Sequence, residues 1–217
     1  MRGMQVQGLS ILGALLLALT ACGGDTPAPD GTPEPTPEPE TRFPPLQCPE
    51  GAVYGEEETP NGFEQVCTDN GNRVGPYKAW HDLQIPATEG EFKNGLSDGD
   101  WLWWFPDGKK KSKGSFKSGK QTGAWTWWHQ NGEPAEEGNF LDGRKVGQWT
   151  TYYASGRIQV DGLYHNGVRH GTWIHHRDDE TNTIARRETW QTGNLTETKY
   201  EDAEGKEIKE PLPGDPP

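Results

Sequence analysis

The chain has 217 residues, of which 30% are hydrophobic, with 29 Gly, 18 Pro and 10 Trp. So little aliphatic material excludes a large aliphatic core and points to a thin structure held by aromatic packing and glycine turns. The net charge of -12 lies in the flanks, chiefly Asp25 to Asp69 and Glu197 to Asp215, while Gly75 to Leu195 is balanced; the acid keeps the flanks solvated and gives no footing for nucleic acid as a partner.

At the N-terminus, Arg2 precedes an apolar run from Leu9 to Leu19, followed by Leu19-Thr20-Ala21-Cys22. The run is shorter than the roughly 20 apolar residues of a membrane-spanning helix, so residues 1–21 read as a signal peptide. Leu-Thr-Ala-Cys resembles the lipobox of bacterial lipoproteins, which implies cleavage before Cys22 and lipidation of that cysteine. Gly23 and Gly24 follow, with no Asp beside the cysteine, so the resemblance favours the outer membrane and a periplasmic or surface-exposed location in the bacterial envelope. Residues 22–47 are rich in Pro, Thr and Glu and cannot bury a core; they read as an extended tether.

With Cys22 assigned to lipid, Cys48 and Cys67 are an even pair. In an oxidising compartment they are expected to form a disulfide worth about 3 kcal/mol, stapling an N-terminal cap over residues 48–74. There is no CxxC spacing to suggest redox chemistry or zinc.

Glycines then recur at Gly75, Gly99, Gly123, Gly147 and Gly171, a period of 24 residues. Two places after each stands Tyr77, Trp101, Trp125, Trp149 or Trp173, and five places after stands Trp80, Trp104, Trp128, Tyr152 or His176. Later in the unit come Gly90, Gly114, Gly138 and Gly162, then Phe92, Phe116, Phe140 and Tyr164, then Gly95, Gly119, Gly143 and Gly167. Such periodicity marks a repeat protein. Each unit reads as two short strands joined by turn pairs such as Asn-Gly or Ser-Gly, so residues 75–195 are expected to form five β-hairpins in a single meandering antiparallel sheet, all-β and elongated. Residues 196–217 read as a polar cap strand and a disordered tail.

The pattern resembles the MORN-repeat variants of bacterial proteins. Gly123-Ala124-Trp125-Thr126-Trp127-Trp128-His129-Gln130-Asn131-Gly132 and Phe140-Leu141-Asp142-Gly143-Arg144-Lys145-Val146-Gly147 carry the motif. The first unit departs at Leu83-Gln84, and the fifth, with a two-residue insertion, has Arg177 to Thr183 in place of the turn. The resemblance implies protein-binding scaffolds, membrane-associated modules or proteins labelled antitoxins, and brings no catalytic residue and no cofactor.

Alternation places Trp101, Trp103 and Phe105 on one face of the first strand and Leu102 and Trp104 on the other. A ladder explains one member of each doublet, leaving Trp103, Trp104, Trp127 and Trp128 as candidate contacts for sugar rings or partner side chains. The place of Trp127 accepts Ala79, Thr151 and His175 in other units, which reads as a surface place. Lys109, Lys111 and Lys113 crowd one hairpin and are candidates for anionic head groups, against the plainer reading of solvated edge lysines. His165, His170, His175 and His176 match no metal-ligand spacing and read as packed or solvated, so no metal is expected. Carboxylate pairs such as Glu136-Glu137 have no recurring acid or base partner. The expectation is a non-catalytic, lipid-anchored scaffold binding an envelope protein. A glycan or anionic-lipid module is the alternative, and an antitoxin role a weaker one.

Overall fold

The structure is a computed structural model and describes residues 43–60, 62–81 and 85–216. The signal peptide, Cys22, most of the tether and the Leu83-Gln84 departure lie outside the described residues. Within the described part of the chain, fourteen strands follow one another in a single antiparallel sheet, each paired only with its sequence neighbours. They are β1 Val53–Thr59, β2 Gly62–Asp69, β3 Asn72–Trp80, β4 Pro86–Lys93, β5 Leu96–Trp104, β6 Lys110–Lys117 and β7 Lys120–Trp128. The array continues through β8 Pro134–Leu141, β9 Arg144–Tyr152, β10 Ile158–His165, β11 Val168–His176, β12 Ile184–Gln191, β13 Asn194–Glu201 and β14 Glu207–Ile208.

Two kinds of connection alternate along the sheet. One margin carries two-residue turns, as at Asn94-Gly95 and Ser118-Gly119, in which both residues have positive φ. That is the backbone of a type I′ turn, whose twist matches the strands it joins, and Asn, Asp, Ser or Thr followed by Gly supplies it. The turn glycines also bind backward: Gly119 donates its N–H to the carbonyl of Ser97, and Gly143 to that of Gln121. The other margin carries five-residue loops such as Phe105 to Lys109. Here the first loop residue reaches the neighbouring unit, as His81 and His129 hydrogen-bond through Nε2 to the carbonyls of Trp104 and Tyr152, both at 2.8 Å. Tyr153 donates its hydroxyl to the carbonyl of His176.

The 24-residue glycines have a bulge role. Gly99, at φ 76°, sits where the β4–β5 register shifts between Glu89 and Glu91, and a left-handed residue at a strand bulge costs least as glycine. The other glycine series makes room. Gly114 lies across from Trp101 on one side and beneath Trp125 on the other. Gly90, Gly138 and Gly162 likewise give Trp101, Trp149 and Trp173 bare backbone to pack on.

The core is one face of the sheet, an aromatic ladder. Trp101, Trp125, Trp149 and Trp173 are at most 5% exposed. Ring centroids run from Tyr77 to Trp101 at 5.7 Å, to Trp103 at 5.7 Å, to Trp125 at 5.6 Å, to Trp127 at 5.3 Å and to Trp149 at 6.0 Å. Phe92, Phe116, Phe140 and Tyr164 meet these indoles edge-on. Such stacked and T-shaped pairs add to the burial of large rings, which is how so few aliphatic residues suffice.

Both ends differ from the sequence reading. The N-terminal cap is itself part of the sheet, through β1 and β2. Residues 211–216, expected as a disordered tail, return to it: Asp215, its side chain 5% exposed, pairs with Arg177 at 2.6 Å, and the Pro216 carbonyl accepts from Arg186 at 2.5 Å. One long-range ion pair and one hydrogen bond to backbone hold a segment whose composition alone suggests solvent.

Candidate binding face

The two tryptophan doublets are split by strand alternation. Trp103 and Trp127 belong to the ladder, so the reading of position 127 as a surface place is corrected: its ring stacks on Trp125 and reaches Trp149. Trp104 and Trp128 stand on the opposite face, beside the loop margin, half-buried and with no aromatic neighbour or side-chain hydrogen bond among the described residues. They align with Trp80, Tyr152 and His176 into a row, one member per unit. Tyr152 donates its hydroxyl to Glu137 at 2.5 Å, and burial together with this bond pushes the phenol up to about 12. His176 bonds to Asp161 at 3.0 Å and to the Asn182 carbonyl at 3.1 Å.

Trp80, the first member of the row, is covered by the chain itself. Phe43 stacks on it at 4.6 Å and 17°, and on Phe63 at 5.0 Å, while Phe63 and Trp80 stack at 4.6 Å. The segment that carries Phe43 is held on this face by the Cys48–Cys67 disulfide, with Cα atoms 5.5 Å apart. Gln65, buried on the same strand, donates to the Tyr54 hydroxyl at 2.7 Å and to Glu56 at 2.8 Å. Sequence reasoning found the disulfide and missed Phe43, which lies in a stretch read as tether.

The lysine hairpin is not a uniform cationic patch. Lys110 and Lys113 line a shallow groove of about 610 Å³ on this face together with Glu89, Glu91 and Asp100. Lys109 donates to the Gln130 carbonyl at 2.9 Å and lies 3.9 Å from Asp107, and Lys111 sits 5.9 Å from the centre of the Phe105 ring. Carboxylates thus lie beside the lysines that an anionic ligand would need.

The last ladder histidine is packed. His175 is 4% exposed, with Nε2 3.2 Å from the Glu188 carboxylate but out of line for a hydrogen bond, and Nδ1 without a partner among the described residues. Burial holds the imidazole below its usual range, with the charge of Glu188 acting the other way. Glu188 stands across from Trp173, where earlier units have glycine, and also receives Arg169, Arg186 and the Trp190 indole N–H. Burial alone would raise this carboxyl, but these donors and the histidine keep it below the ordinary range.

A meandering antiparallel sheet with one aromatic row per hairpin defines a β-repeat array. Residues 97–118, 121–142 and 145–166 match the model of the MORN repeat variant, three consecutive copies in the middle of the array. No curated protein matches the chain.

Proposed function

We propose that this protein is a lipid-anchored envelope scaffold that binds another protein, without catalysis, through the face bearing Trp104 and Trp128. The observation that carries the reading is the Phe43–Trp80 stack. At the first position of the row the chain lays its own flat apolar side chain on the tryptophan, and the same row presents Trp104 and Trp128 uncovered by any aromatic ring. A partner strand or loop with exposed aromatic or proline side chains would meet them as Phe43 meets Trp80. Half-buried tryptophans flanked by polar residues are the composition of binding hot spots. The Leu-Thr-Ala-Cys motif supports anchoring at Cys22 and delivery to the envelope.

The experiment is crosslinking and affinity capture from envelope extract with the full chain, with Trp104→Ala and Trp128→Ala, and with Cys22→Ser. Specific partners captured by the parent and lost from the double tryptophan variant, with the sheet intact by circular dichroism, are expected. Retention of partners by that variant would exclude this face. Membrane extraction of processed Cys22→Ser like the parent would exclude the anchor. Binding to anionic lipid instead is disfavoured by Glu89, Glu91 and Asp100 beside Lys110 and Lys113.

A further inference from the structure

The second aromatic of the unit is absent at Ala79, where Tyr77 and Trp101 still meet at 5.7 Å, and at Thr151, where Trp149 and Trp173 both meet Tyr164 edge-on. In the two units preceding Thr151 its place is filled by Trp103 and Trp127, each of which stacks between successive ladder tryptophans. The backbone around Thr151 is unchanged: Val160 pairs with Thr151 and His175 in the same register in which Ser112 pairs with Trp103 and Trp127. Only the side chain is missing. What remains is a notch of about 300 Å³, lined by the aromatic residues Trp149, Tyr164 and Trp173, with Glu136, Arg169 and His175 around it and Pro216 of the returning C-terminal segment at its border. The guanidinium of Arg169 lies over Trp173 at 4.3 Å, and the ammonium of Lys145 over Trp149 at 3.9 Å, so each wall ring already carries one cation.

We propose that this notch is a binding site for one planar aromatic ring, which completes the ladder between Trp149 and Trp173. The volume suits a single ring system, being at the low end of ligand pockets. The walls are those that receive an indole elsewhere in the same chain, at centroid distances in the range of favourable stacking. His175, itself buried, forms part of the lining. The site lies on the ladder face and is independent of the row of Trp104 and Trp128.

The test is titration of the full chain with indole by calorimetry and saturation-transfer NMR, with benzofuran as the isostere lacking the N–H and N-acetylglucosamine as a ring that stacks without being aromatic. Saturable indole binding at one site per chain is expected, with benzofuran bound comparably and the sugar not bound. Thr151→Trp fills the notch with the chain's own indole and should abolish binding while raising Tm. Trp127→Thr should open an equivalent space and raise the stoichiometry to two. No saturable indole binding, preference for the sugar, or binding unchanged in Thr151→Trp would overturn the proposal, and Thr151→Trp keeps it falsifiable if Trp127→Thr fails to fold.

Discussion

The indole of Trp125 rests on Gly114 so closely that a Cβ at position 114 would fall 2.1 Å from its Cδ2 atom. Gly114 has no positive φ, so space alone demands glycine there. Gly114→Ala is expected to destabilise the fold by about 3 kcal/mol, the upper range for overpacking, because both neighbours are sheet backbone and a wedged ring. Gly108→Ala, at φ 82° with nothing within 4 Å, should cost only about 1 kcal/mol through its left-handed backbone. Urea unfolding of the two variants measures the difference.

Trp125→Ala and Trp127→Ala should both weaken the fold substantially. The first removes a ring that is 4% exposed and should cost about 3 to 5 kcal/mol. The second removes a half-buried ring that bridges Trp125 and Trp149, and about 2 to 3 kcal/mol is expected. Denaturant midpoints showing Trp127→Ala within about 0.5 kcal/mol of the parent, the surface range, would contradict its place in the ladder.

Loss of the Cys48–Cys67 bridge should lower stability by about 2 to 5 kcal/mol. It should also release the segment that places Phe43 on Trp80. Cys48→Ser is the better probe, since Cys67 is fully buried and its replacement disturbs packing too. Intact mass before and after alkylation reports the bridge, and increased hydrogen exchange in β2 reports the uncovered face.

Acid should unfold the end of the array in two stages. Burial lowers the His175 pKa below its unfolded value of 6.5, so the unfolded state takes up the proton first. Stability is then fully present above about pH 6.5 and declines as pH falls below it. Glu188, held below its ordinary 4.5, contributes stability above that value and loses it as pH falls further through its folded pKa. His175→Phe should remove the first decline and keep the second, read from Tm between pH 4 and 8.

Much of this fold is legible in the residue series. The 24-residue glycines and aromatics specify strands, turns and register, because a bulge, a type I′ turn and an indole on bare backbone each admit few residue types. Face assignment is also within reach, since alternation puts Trp103 and Trp127 beside Trp101 and Trp125. Variation between units misleads on this point. Thr151 in the place of Trp127 looks like tolerance at a surface, whereas the unit that lost the indole acquired a notch. Phe43 and Asp215 were not legible, because the contacts that hold them span the chain and leave no local pattern. Glu188 had a signal, as the one departure from glycine in its series, but its meaning needed the neighbouring arginines and His175.

The glycine series also decides how such an array can lengthen. At its start, Val66 stands across from Tyr77 and packs in the same cluster; at its end, Glu188 faces Trp173 and meets Thr198 on the next strand. Neither place leaves bare backbone for another indole. A duplication of residues 97–120 inserted in frame after Lys120 would find the same neighbours on both sides and add two strands. A copy appended beyond β12 would drive an indole against a paired carboxylate. Growth by gene duplication is therefore open in the interior of the array and closed at its two ends.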